Sequence, residues 1–106
     1  MASDQKNVDF ICEQMNQAGD IRSRKMFGEY AIYCDDKVIA LVCDDQLFLK
    51  VTEPGRVIVK NVELAPAYPG AKDSFLISQD EWEDAGYLSS LARITADALP
   101  LPKAKK

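Results

Sequence analysis

Histidine is missing from all 106 residues. That absence removes the Ser–His and Cys–His nucleophile pairs and the Cys–His zinc sites together. Any catalysis would fall to carboxylates, lysine, tyrosine or a lone cysteine. Cysteine itself is scarce, with Cys12, Cys34 and Cys43 as the whole set. An odd number without a close pair makes no disulfide framework, and the spacing fits no metal motif. No apolar run approaches the roughly 20 residues that cross a bilayer, so no membrane contact is expected. The opening Met1-Ala2-Ser3-Asp4-Gln5-Lys6 is polar and unlike a signal peptide, which points to the cytoplasm. Glycine is sparse, and Gly28 and Gly70 stand in no phosphate-binding loop. Positive charge is in deficit, 13 Lys and Arg against 17 Asp and Glu, for a net charge of −4. Direct nucleic-acid binding is therefore not expected, because phosphate neutralisation supplies most non-specific affinity. No cofactor and no metal is implied.

What remains is an ordinary globular composition, 47% apolar and 28% charged. The length fits one domain over residues 1–106, large enough to bury roughly 65% of its unfolded surface. Ser3 or Asp4 can cap a first helix running to about Ala18. Val8, Ile11, Cys12 and Met15 form its apolar stripe, with Phe10 near the opposite face. Gly19 follows as a terminator. Strands are expected over residues 22–27, 29–34, 38–43 and 46–51, with Gly28 as the break between the first two. Asp35-Asp36 and Asp44-Asp45 are the two-residue turns, because Asp tolerates the positive φ that such turns need.

These turns imply a register. Tyr33 would face Val38, Ala31 would face Ala40, Val42 would face Leu47, and Ala40 would face Leu49. One face would then carry Ala31, Tyr33, Val38, Ala40, Val42, Leu47, Leu49 and Val51. The other would carry Tyr30, Ile32, Ile39, Leu41 and Phe48, too apolar to stand bare in water. A later helix, the C-terminal tail or a second subunit could each cover it. The same register sets Cys34 and Cys43 at opposite ends of a hairpin, too far apart to be bridged.

Beyond the meander, Thr52 or Glu53 with Pro54 starts a short helix within residues 52–60, although Val57-Ile58-Val59 favours a strand on propensity alone. Residues 63–72 read as a loop around Pro66, Pro69 and Gly70, and residues 73–78 as a further strand. Ser78 with Glu81, or Asp80 with Glu83, offers a cap for a last helix over about 84–98. Leu88, Leu91, Thr95 and Ala98 make its core stripe, and residues 99–106 are a basic tail. The fold class is α+β, an antiparallel meander of about four or five strands flanked by N- and C-terminal helices.

The candidate site lies at the first strand. Arg22, Arg24 and Lys25 gather positive charge before Met26-Phe27-Gly28 and Tyr30. That grouping reads as a partner-binding patch or as cations guarding a sheet edge against pairing. A different reading is a small-ligand or weakly catalytic pocket lined by Tyr30, Tyr33 and Lys50. The Asp-Asp pairs are explained by their turns, and the acidic run Asp80-Glu81-Trp82-Glu83-Asp84 by helix capping.

Two stretches resemble one known family. The first runs from Arg24-Lys25-Met26-Phe27-Gly28-Glu29-Tyr30 through Tyr33 and Ala40-Leu41-Val42 to Leu47-Phe48-Leu49-Lys50. The second holds Ala65-Pro66, Tyr68-Pro69-Gly70-Ala71-Lys72 and Phe75-Leu76-Ile77, with Leu99 to Lys103 behind it. Together they resemble the N-terminal domain of the TfoX/Sxy competence regulators, in the short form without the helical C-terminal domain. The resemblance implies an α+β fold similar to secretion chaperones. It also implies a non-enzymatic, cytoplasmic, bacterial module acting in transcriptional regulation through protein contacts, with a transcription factor as candidate partner. A homodimer through the semi-apolar sheet face is a further expectation. The resemblance brings no catalytic motif.

Overall fold

The computed structural model describes residues 4–26 and 29–99. Phe27, Gly28 and the tail beyond Leu99 lie outside the described residues, as does the side chain of Met26. The chain opens with helix α1 (Gln5–Gln14), which a 3₁₀ turn at Asn16–Ala18 extends. Asp4 is the cap, accepting the Lys6 N–H at 2.9 Å. Strands β1 (Ile21–Met26), β2 (Glu29–Cys34), β3 (Lys37–Cys43) and β4 (Gln46–Leu49) follow. Then come the short helix α2 (Glu53–Ile58), strands β5 (Leu64–Pro66) and β6 (Asp73–Ile77), and helices α3 (Gln79–Trp82) and α4 (Ala85–Ala98).

Local chemistry explains most boundaries. Both Asp-Asp turns adopt positive φ at both positions, 52° and 69° at Asp35 and Asp36, 53° and 59° at Asp44 and Asp45. Thr52 caps α2 by accepting the Gly55 N–H at 3.0 Å. The last helical region departs from expectation. Ser78 opens only the single-turn α3 and makes no side-chain cap bond, whereas Asp84 caps α4 by accepting the Tyr87 N–H at 3.0 Å. Asp84 is the better placed carboxylate because α3 ends at Trp82, whose indole N–H is drawn to the Ile77 carbonyl at 3.0 Å.

The six strands form one sheet in the order β1-β2-β3-β4-β6-β5, with every pair antiparallel. The sheet is larger than expected because β5 rises out of the segment read as a loop and pairs with β6. The β3–β4 register is the expected one, Ala40↔Leu49 and Val42↔Leu47. The β2–β3 register is not. Tyr33 pairs with Val38, but Ile32 pairs with Ala40 and Ala31 with Leu41, so the pairing slips between Ile32 and Tyr33 and Ile39 is left as the extra residue.

That one-residue slip exchanges the faces of half of β2. Tyr30 and Ile32 now share a face with Ala40, Val42, Leu47 and Leu49 and join one core cluster with Val8, Ile11 and Met15 of α1 and Leu88, Leu91 and Ala92 of α4. Trp82 of α3 belongs to the same cluster, and Ile58 of α2 packs against it. Ala98, expected in the helical core stripe, is exposed, and Ala92 and Ala96 take that role. The opposite face carries Ala31, Leu41, Phe48 and Leu76 in a row across β2, β3, β4 and β6. A cavity on that face is bordered by Ala67, Tyr68, Ala71 and Lys72 of the loop before β6 and by Leu99, rather than by a helix.

Candidate interaction surface

β1 is a sheet edge, and it carries the basic residues singled out by sequence. Its pairing with β2 sets Arg22 opposite Tyr33 and Arg24 opposite Ala31, on the helix-free face. Ser23 and Lys25 pair with Ile32 and Tyr30 and lie toward the helices. Arg22 is tied to Asp20 by an ion pair of 3.0 Å in which both side chains are more than half exposed. Solvent screening leaves such a pair little energetic weight. Arg24 and Lys25 are exposed and make no ion pair or side-chain hydrogen bond among the described residues. Two adjacent cations thus sit on opposite faces of one open strand.

Tyr30 does not belong to that surface. It is only 6% exposed, and its hydroxyl donates to the Gln5 Oε1 at 2.8 Å. The Ile39 bulge places it in the core, so it positions α1 against the sheet. Ile32, expected on the semi-apolar outer face, is buried with it. Leu41 and Phe48 are on the outer face as expected, with Phe48 4% exposed. A cavity of about 440 Å³ opens there, lined among others by Leu41, Phe48, Lys50, Tyr68, Lys72 and Leu99. Sequence reasoning did not place Tyr68 and Lys72 in it. The available signal was the surplus of apolar residues on that face, which required a cover of some kind.

The pocket imagined between Tyr30, Tyr33 and Lys50 is not assembled. Tyr30 and Tyr33 lie on opposite faces, and the cavity that includes Lys50 includes neither tyrosine. The thiols are free, and burial is the largest effect on each of them. It pushes Cys12 up to about 11, with the Ser23 side chain opposing as a hydrogen-bond partner, and moves Cys34 and Cys43 in the same direction. Protonated at neutral pH, they behave as small core residues rather than nucleophiles. No cluster of three or more His, Cys, Asp or Glu side chains suited to a metal occurs among the described residues. No described helix is long and apolar enough to cross a membrane.

The site is braced from behind by the turns. The Asp35 carboxylate accepts the Asp20 N–H at 2.9 Å and meets Arg93 of α4 at 3.0 Å. Those bonds hold its carboxyl below the usual range. Arg93 also donates to the Ala18 carbonyl at 2.6 Å and to Asp97 at 2.7 Å. At the other end of the hairpins, Asp45 accepts the Asp4 N–H at 2.6 Å and the Asn7 side-chain amide at 3.1 Å. Both bonds lower its carboxyl as well, the Asp4 backbone donor contributing most. Each turn is therefore clamped to the helical layer, which fixes the chain on both sides of β1. Gly19 allows the first clamp: its φ is 151°, and a Cβ there would stand 2.8 Å from the Asp35 carboxylate.

Comparison with known proteins gives two findings. The family described as TfoX N-terminal domain matches residues 13–99. A relative from Spirochaeta aurantia, described as an uncharacterized 12.7 kDa protein in the trpE 5′ region, is 42% identical over 106 residues. That alignment takes in 100% of this chain and 91% of the relative.

Proposed function

The chain belongs to the TfoX N-terminal domain family, which is associated with competence regulation, and on that footing we propose that it is a non-enzymatic protein-interaction module. Its work would be transcriptional regulation through contact with a protein partner, a transcription factor being the candidate. The observation that carries this reading is β1, an edge strand whose Arg24 and Lys25 make no ion pair or side-chain hydrogen bond among the described residues. The helix-free face beside it adds the half-buried Leu41, at the mouth of the cavity on that side. Raised thiols and the lack of histidine leave little for a catalytic alternative to use.

The test is capture from the native lysate with tagged protein, comparing wild type with the double substitution Arg24→Glu/Lys25→Glu. Both positions are exposed, so folding should be unaffected. The expected result is a specific regulatory protein held by the wild type and lost by the variant at unchanged melting temperature. Equal capture by both proteins, or no specific capture, would overturn the reading. Light scattering on the pure chain reads separately whether the outer face also joins two copies.

A further inference from the structure

Strand addition at β1 rests on the reading of this chain as an interaction module. Register shows which backbone groups of β1 are used inside the sheet. Asp35 N–H donates to the Asp20 carbonyl at 3.0 Å, and pairing then runs without a slip from Ile21↔Cys34 to Met26↔Glu29. Bonded and non-bonded positions alternate along an antiparallel pair. Arg22 and Arg24 therefore turn their N–H and C=O groups toward β2, whereas those of Ile21, Ser23 and Lys25 face outward. No described element pairs with that side. The opposite edge is different. β5 is 3 residues long, and Pro66 has no N–H to give. Among the described residues, one edge of the sheet is short and interrupted by proline, and the other offers three outward positions.

We propose that β1 receives an extended acidic segment of a protein partner as an added strand. The outward groups of Ile21, Ser23 and Lys25 would supply the ladder. Adjacent residues of an added strand point to opposite faces, as Arg24 and Lys25 do, so two neighbouring carboxylates would meet one cation each. A second copy does not fit. Antiparallel self-pairing centred on Ser23, on Arg24 or between them always sets a cation of one β1 against a cation of the other. The chain's own last residues, Pro100-Leu101-Pro102-Lys103-Ala104-Lys105-Lys106, are basic and rich in proline, so they match neither the charge nor the ladder. The net charge of −4 disfavours a long polyanion such as a polyphosphate chain more than a short segment with two carboxylates set against Arg24 and Lys25.

The probe is a fluorescein-labelled octapeptide of valine and threonine with two adjacent central glutamates, titrated against the full chain by fluorescence polarisation. Saturable binding is expected, weakened about tenfold or more by Arg24→Glu/Lys25→Glu. N-methylation of one alternating set of peptide nitrogens should abolish binding, and methylation of the other set should leave it. Amide exchange at Ser23 and Lys25 should slow about tenfold or more when peptide is bound. Failure of the octapeptide to bind, equal binding of both methylated forms, or unchanged exchange along β1 would overturn strand addition. Lysate capture separates the two readings. A partner held by wild type and lost in the charge-reversed variant, with no octapeptide binding, sinks strand addition and leaves the interaction module standing. A lysate with no such partner sinks the module itself.

Discussion

Four aspartates in two turns do different work, although all four share a left-handed backbone. Asp35 and Asp45 reach distant groups through their carboxylates, whereas Asp36 only occupies its corner. Asp36→Gly should therefore stabilise the fold by about 0.5 kcal/mol, because glycine accepts a φ of 69° without side-chain strain. Asp45→Gly removes two hydrogen bonds to the start of α1 and should cost about 1 kcal/mol. Thermal or urea melts of the two variants would check the opposite signs, and equal shifts would contradict the division of labour. Titration adds a second expectation. Asp35, Asp45 and Asp84 have carboxyls held below 3.8 in the fold, so their stabilisation is complete above that value and drains away as pH falls through the lowered ones. The thiols work in the opposite sense. A thiol raised from 9.0, to about 11 at Cys12, stabilises the fold below 9.0, and that contribution is lost as pH climbs toward the folded value. The melting temperature should be nearly flat across neutral pH and drop on both sides. Replacing Cys12 by alanine should shrink the alkaline drop while leaving the acid one in place.

At the scale of elements, helix α4 holds one misplaced polar atom. Thr95 is fully buried, and its hydroxyl makes no hydrogen bond among the described residues. Thr95→Val keeps the shape and removes that unsatisfied group, so it should raise stability by about 1 kcal/mol in a chemical melt. A loss instead would mean that the hydroxyl has a partner in solution. The elements themselves were largely legible. The period of Val8, Ile11 and Met15 gave α1, and Thr52 with Pro54 gave α2 against the strand propensity of Val57-Ile58-Val59, because Val57 is 83% exposed and Ile58 packs against the core. The Asp44-Asp45 turn correctly set the β3–β4 register. Ile39 was not legible. A bulge leaves alternation intact on either side of it, and every residue near it is apolar, so the sequence carries no mark of the slip. This hid the true position of Tyr30, and with it one residue of the expected site. β5 was hidden for a different reason: it is too short to show a period, and Pro66 argued against a strand that an edge position nevertheless tolerates.

The whole molecule is a two-layer body with all its helices on one face of the sheet and loops on the other. Its charge is negative overall and its open strand is basic, so association with an acidic partner should slow as salt rises and screening shortens from about 10 Å at 0.1 M to about 3 Å at 1 M. Duplex DNA at physiological salt should give no complex in a gel-shift assay. A salt-sensitive shifted band would move the basic strand from protein contact to phosphate contact.

The short edge at Pro66 has one more consequence, for how many such molecules can be joined. Sheets that stack side by side need a free ladder at both borders, since each unit must take a neighbour and offer itself to the next. A sheet bordered on one side by three residues and a proline offers a ladder of useful length on its other side alone. It can finish a ribbon of strands but cannot pass one on, so whatever strand it takes up is also where growth stops.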